Sequence, residues 1–224
     1  MRKVDPQGVR DDFVDAVQGV QVLSVLVQDA PGAPRVVAEL QLLSAAVLWE
    51  GFLTDLFVAY VNGDSKKFTQ DLKDRITASV KAKFGETAAA RTEIKLGKHL
   101  DRETVAGLLD PDGRNVAFGS AADVVESAQR RLPKEAADRF KALTPAERAA
   151  IDGWTAIRHF VAHRSQAAED KMNEALAVPA IQPELRRGKN RVNSAGKYLA
   201  ARIGRDTTRA DVIFRLMSDL AARM

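Results

Sequence analysis

At 224 residues the chain is long enough to bury a core of its own and suits one domain with an elaborated end. Its 46% hydrophobic and 29% charged residues suit a water-soluble globular protein, and the complete lack of cysteine excludes disulfides, zinc–thiolate sites, iron–sulfur clusters and thiol nucleophiles. The net charge of +4 is unevenly spread: residues 186–209 hold eight basic residues and one acid, leaving about −3 on the remainder, a local excess of the kind that attracts polyanions.

The chain opens with "MRKVDPQGVRDDF", which turns acidic where a secretory segment would become apolar. Phe13, Val17, Val20, Leu23 and Val27 follow at helical spacing, predicting a helix over residues 8–29 despite the valine-rich run inside it. "DAPGAPR" breaks the chain. The next helix, about 35–62, is apolar nearly all round, as the central helix of a bundle would be. Glu39, Glu50 and Asp55 argue against a membrane span there, so the expectation is a soluble, cytoplasmic protein with no membrane contact.

A polar, lysine-rich helix extends to about Phe84, followed by shorter pieces over 88–108 and 120–142. The intervening "LDPDGRNVAFGS" resembles a calcium loop only at its start, since its glycine stands fourth and no glutamate closes it; no metal is assigned. At "LTPAERAAIDGW" a helix start is well marked: Thr144 as N-cap, Pro145 at the first turn and Glu147 three after the cap. That helix runs to about Ser165. A short helix to about 177, the proline-punctuated "VPAIQPELRRGKN" and one or two closing helices complete the chain. Strand signals are scarce, so the expected class is all-α: a bundle core over 1–180 with a basic helical extension over 181–224 packed on it.

The capped helix carries the chemistry. In "GWTAIRHFVAHRS" (153–165) two of the chain's three histidines stand four residues apart, with an arginine before the first and another after the second. At about 100° per residue, Ala150, Ile151, Trp154, Ile157 and Val161 form the core-facing stripe, with Arg158 at its edge and His159 and His163 together on the adjoining face. Arg158 and His163, about 140° apart, line a groove from its two sides. A guanidinium grips phosphate through two donors, and imidazole exchanges protons near neutral pH. Together they are equipped to cleave RNA without metal or cofactor. The bland alternative is an ordinary helix-surface histidine pair. His99 is read as a surface residue.

"RHFVAH" resembles the R-x4-6-H motif of the HEPN superfamily, all-α proteins that include many metal-independent ribonucleases of toxin–antitoxin, phage-defence and RNA-processing systems. His159 suits the polar second position of that motif, and "AHRS" is similar to the run that often follows. "LLSAAVLWEGFLTDLF" resembles the family's earlier core helix, with Glu50 at its acidic position. Within the superfamily the chain resembles bacterial single-domain forms of about this length, of the RiboL-PSP type or its close relatives.

The resemblance implies a HEPN-like bundle and a homodimer whose motif helices meet near a twofold axis. It implies His163 as catalytic histidine, Arg158 as phosphate-stabilising arginine, His159 as orienting or proton-sharing, and Glu50 as holding Arg158. It further implies a toxin or defence ribonuclease, with a cognate antitoxin or nucleotidyltransferase as a partner class. Arg164, Arg186, Arg187, Lys189 and Arg191 are read as contacts to the RNA backbone. Many members of the superfamily no longer cleave, so the alternative reading is a helical dimerisation or binding module for a protein partner or nucleotide. Sequence-specific DNA binding lacks a helix-turn-helix to support it.

Overall fold

The computed structural model describes residues 3–23, 32–97, 100–110 and 118–224, and among these the fold is all-α with eleven helices and no strand. His99 and most of the 109–120 segment lie outside them.

Helix α1, Pro6–Val22, begins where Asp5 accepts the Gln7 N–H and Pro6 occupies the first turn. Its expected continuation to residue 29 runs into undescribed residues. Helix α2, Ala33–Gly63, is the axis of the molecule. Its buried residues, among them Leu42, Trp49, Phe52, Leu56, Phe57 and Val61, fall on almost every side because α1, α5, α8, α10 and α11 all pack on it. Among the described residues α2 alone is long and apolar enough to cross a membrane. Most of that apolar length faces neighbouring helices instead.

Helix α3, Lys66–Phe84, buries only Phe68 and leads through Gly85, at φ +86, into the short α4, Glu86–Arg91. Residues 92–97 are not helical, and α5, Arg102–Leu109, starts anew at the Asp101 cap, so the segment expected as one piece over 88–108 is two. The 120–142 piece also divides, into α6, Ala121–Arg131, and α7, Lys134–Lys141. Pro133 is the reason: a residue before proline is driven out of the helical region, and Leu132 is extended.

Helix α8, Pro145–His163, has both bonds of its capping box, Thr144 Oγ1 accepting the Glu147 N–H and the Glu147 carboxylate accepting the Thr144 N–H. It ends at Arg164, the one non-glycine residue with positive φ (52°) among those described. Helix α9, Gln166–Ala175, follows at once on the Ser165 cap.

The remainder is built into the same core. Ile181 and Leu185 of the irregular link are buried, and α10, Ala195–Leu199, lies against α2 so closely that a Cβ on Gly196 would come within 2.5 Å of the Arg35 carbonyl. Helix α11, Arg209–Arg223, has its own capping box at Thr208 and Asp211 and buries Ile213, Phe214, Met217 and Leu220 against α1, α2 and α8. Buried Arg10 of α1 donates to Tyr60 of α2, whose hydroxyl donates to the Met224 carbonyl, tying three helices together.

Candidate functional site

The register of α2 against α8 is set by aromatic packing. Trp49 and Trp154 meet edge to face at 5.3 Å and 80°, and Phe13 and Phe52 extend the cluster onto α1. Such a pair contributes about 0.5–1.5 kcal/mol beyond its buried area. Glu50 follows Trp49 directly and Arg158 stands one turn after Trp154, so locking the two indoles opposes the carboxylate and the guanidinium. Arg158 Nη2 lies 3.4 and 3.5 Å from the two Glu50 oxygens. Their side chains are 25% and 36% exposed. An ion pair so long and so hydrated adds ~0–1 kcal/mol to stability, and its main effect is to aim the guanidinium while leaving it open to solvent.

His159 and His163 stand on the neighbouring face, their rings nearly parallel (17°) with centroids 5.9 Å apart. His159 has its pKa held below the ordinary 6.5, first by partial burial, then by the positive charge of Arg158 and the proximity of His163. Neutral imidazole is therefore its resting form at pH 7, which is the form a general base requires.

Both rings border a cleft of about 390 Å³ between α8, the start of α6 and the start of α9. Its polar lining is Ser120, Asp152, Thr155, Ser165 and Lys171 in addition to the histidines. Asp152 was not singled out in the sequence, yet it sits seven residues before His159 and eleven before His163, the spacings that keep side chains on one helix face. Its Oδ1 accepts the Ala121 N–H at 2.7 Å, and partial burial raises its pKa from 3.8 against that bond. Arg158 lies around the helix from the cleft, toward α2, so phosphate grip and proton transfer would come from adjacent sides of α8. A larger cleft, about 530 Å³ between α1 and α2 and bordered by Asp12, Asp55 and Arg102, shares no residue with this site.

The basic residues assigned to RNA are placed differently. Arg164 pairs with Glu39 through both terminal nitrogens and lies over the Phe160 ring, and Glu39 also accepts the Gly196 N–H at 2.8 Å. Arg164 thereby clamps the end of α8 to α2 and α10. Arg186 donates to the Pro179 and Ile181 carbonyls, and Arg187 to those of Asn173, Gly188 and Lys189. Arg191 pairs with Glu169 and Asp170 of α9. Lys189 is exposed. Arg187 and Arg191 thus hold the link onto α9, through a carbonyl and through carboxylates respectively, and Arg186 braces the link against itself by capping two of its carbonyls. Among the described residues no three histidine, aspartate or glutamate side chains converge as metal ligands would.

No family model, curated protein or solved structure matches the chain.

Proposed function

We propose that the protein is a metal-independent endoribonuclease of the HEPN kind, a toxin or defence effector that cleaves RNA through Arg158, His159 and His163. The observation that carries this reading is the conjunction on α8: a guanidinium aimed by Glu50 yet open to solvent, beside a stacked histidine pair whose first member is held neutral. In this reading an imidazole, His159 by its neutral resting state, takes the proton of a ribose 2′-hydroxyl. The 2′-oxygen attacks the adjacent phosphorus and the bond to the 5′-oxygen breaks. His163 delivers a proton to that leaving oxygen, and the products are a 2′,3′-cyclic phosphate and a 5′-hydroxyl. Arg158 stabilises the added charge on the phosphorane-like phosphate.

A homodimer supports the same chemistry. Val36, Leu40 and Val47 of α2 are 58%, 56% and 51% exposed and recur on one side of the helix. Counted at 100° per residue, Glu50 borders that stripe. A second copy covering it would bring two Glu50–Arg158 pairs toward one axis, and RNA lying across both would meet imidazoles from each chain. An antitoxin or nucleotidyltransferase belongs to the same proposal as a partner class.

The test is incubation of wild type and His163→Ala with mixed RNA in EDTA. Cleavage by the wild type that is lost in the variant supports the reading. Equal inertness of both proteins toward several RNAs would favour the non-catalytic binding module.

A further inference from the structure

The cleft beside the histidines extends well past them, and its far end has the opposite chemistry. At the near end stand His159, His163, Lys171 and the Ser165 cap, a set of donors suited to phosphate. At the far end the half-buried Asp152 carboxylate is oriented by the Ala121 N–H, and its other oxygen takes no partner among the described residues. Seven residues of helix separate Asp152 from His159, roughly 10 Å at 1.5 Å per residue. That matches the reach of a nucleotide from its phosphate to the outer edge of its base. Ala156, Ala167, Ala168 and Gly119 complete the lining with side chains too small to fill the space, and the volume of about 390 Å³ falls within the range of small-molecule sites.

We propose that this cleft holds the nucleoside next to the scissile phosphate and that Asp152 selects guanine there. The inference rests on the RNA-cleaving reading for the role of the site, while the selectivity follows from the carboxylate. An ionised carboxylate only accepts hydrogen bonds. Guanine offers two adjacent donors, its ring N1–H and its exocyclic amine. Uracil flanks its single N–H with carbonyl oxygens that a carboxylate repels. Adenine and cytosine each offer an amine beside a ring acceptor and should fall between. A site built around a buried polar group rejects ligands that leave that group unpaired, so Asp152 is a specificity-determining residue rather than a catalytic one.

The experiment is calorimetric titration of the full chain with 3′-GMP and 3′-UMP, for wild type and for Asp152→Asn. The amide retains an oxygen for the Ala121 N–H and puts a donor where the free carboxylate oxygen was. Wild type should prefer 3′-GMP by about tenfold or more, the difference expected from one charged hydrogen bond, and Asp152→Asn should abolish that preference. Ala156→Leu, which fills the slot, should weaken both nucleotides while the thermal transition stays in place. Equal binding of the two nucleotides by wild type, no binding of either, or an unchanged preference in Asp152→Asn would overturn the proposal. Guanine-selective binding without RNA cleavage would remove the nuclease reading and keep the pocket. Cleavage lost in His163→Ala but indifferent to Asp152 would do the reverse.

Discussion

Two regions of this chain are rich in side chains that suit RNA, and they use them in opposite ways. On α8 the guanidinium of Arg158 has Glu50 as its one ion-pair partner among the described residues, and the histidines border open space. In the link that follows α9, Arg186, Arg187 and Arg191 each have one or two guanidinium nitrogens engaged by carbonyls or carboxylates of the chain itself. The difference teaches that a count of positive charges measures field, not availability. A loop of nineteen residues between α9 and α10 has many carbonyls to satisfy, and arginine, with five donors in a fixed fork, does so well. The long-range attraction of the segment for a polyanion survives that engagement, whereas the orientation of those guanidinium groups is set by the chain's own acceptors.

The contrast can be broken first on α8. His163→Ala and Arg158→Ala should each reduce RNA cleavage by about 100-fold or more, the usual contribution of a positioned acid, base or charge stabiliser, with melting temperatures close to wild type. Arg187→Ala should do the opposite, sparing cleavage measured well below the melting temperature and lowering stability by about 1–3 kcal/mol in a urea titration, since it leaves the Asn173 carbonyl without its donor. If Arg187→Ala instead weakened RNA binding at unchanged stability, the link would be an RNA contact after all.

Gly196→Ala sharpens the same point about the C-terminal third. The added methyl meets the Arg35 carbonyl, so a destabilisation of about 1–3 kcal/mol is expected from overpacking. A neutral result would mean that α10 is not an integral part of the core. Leu40→Glu should leave the fold intact and lower the mass seen in sedimentation to that of one chain, if the exposed stripe on α2 is the face a second copy covers.

The smallest expected effect is on protonation. Followed by the NMR titration of its ring protons, His159 should have a pKa below 6.5, and Arg158→Gln should raise it partway, because burial contributes more than the neighbouring charge. As pH falls from 6.5, the unfolded chain takes up this proton before the folded one does. The contribution of His159 to stability is therefore complete above 6.5 and declines as pH drops toward the folded-state value.

Much of the architecture was legible because its signals are local. Thr144, Pro145 and Glu147 announce the start of α8, and the apolar stripe through Trp154 and Ile157 gives its inner face; both are as the sequence implies. The broken helices were harder. Pro133 sits inside an apolar pattern that continues on both sides, so periodicity carried the expected helix across it. The pairing of Glu50 with Arg158 spans 108 residues and depends on how two indoles pack, which no spacing rule conveys. Asp152 was within reach of a helical wheel, but its partner, the Ala121 N–H, comes from another helix. The roles of Arg164 and Arg187 were invisible because their acceptors, the Glu39 carboxylate and the Asn173 carbonyl, are brought to them only by the fold.

The most direct measurement is the chemistry of the cut ends. RNA treated with wild-type protein in EDTA should carry 2′,3′-cyclic phosphate and 5′-hydroxyl termini, absent from the His163→Ala reaction. Termini with 3′-hydroxyl and 5′-phosphate groups, or the same cyclic ends produced by both proteins, would contradict proton transfer by the α8 histidines.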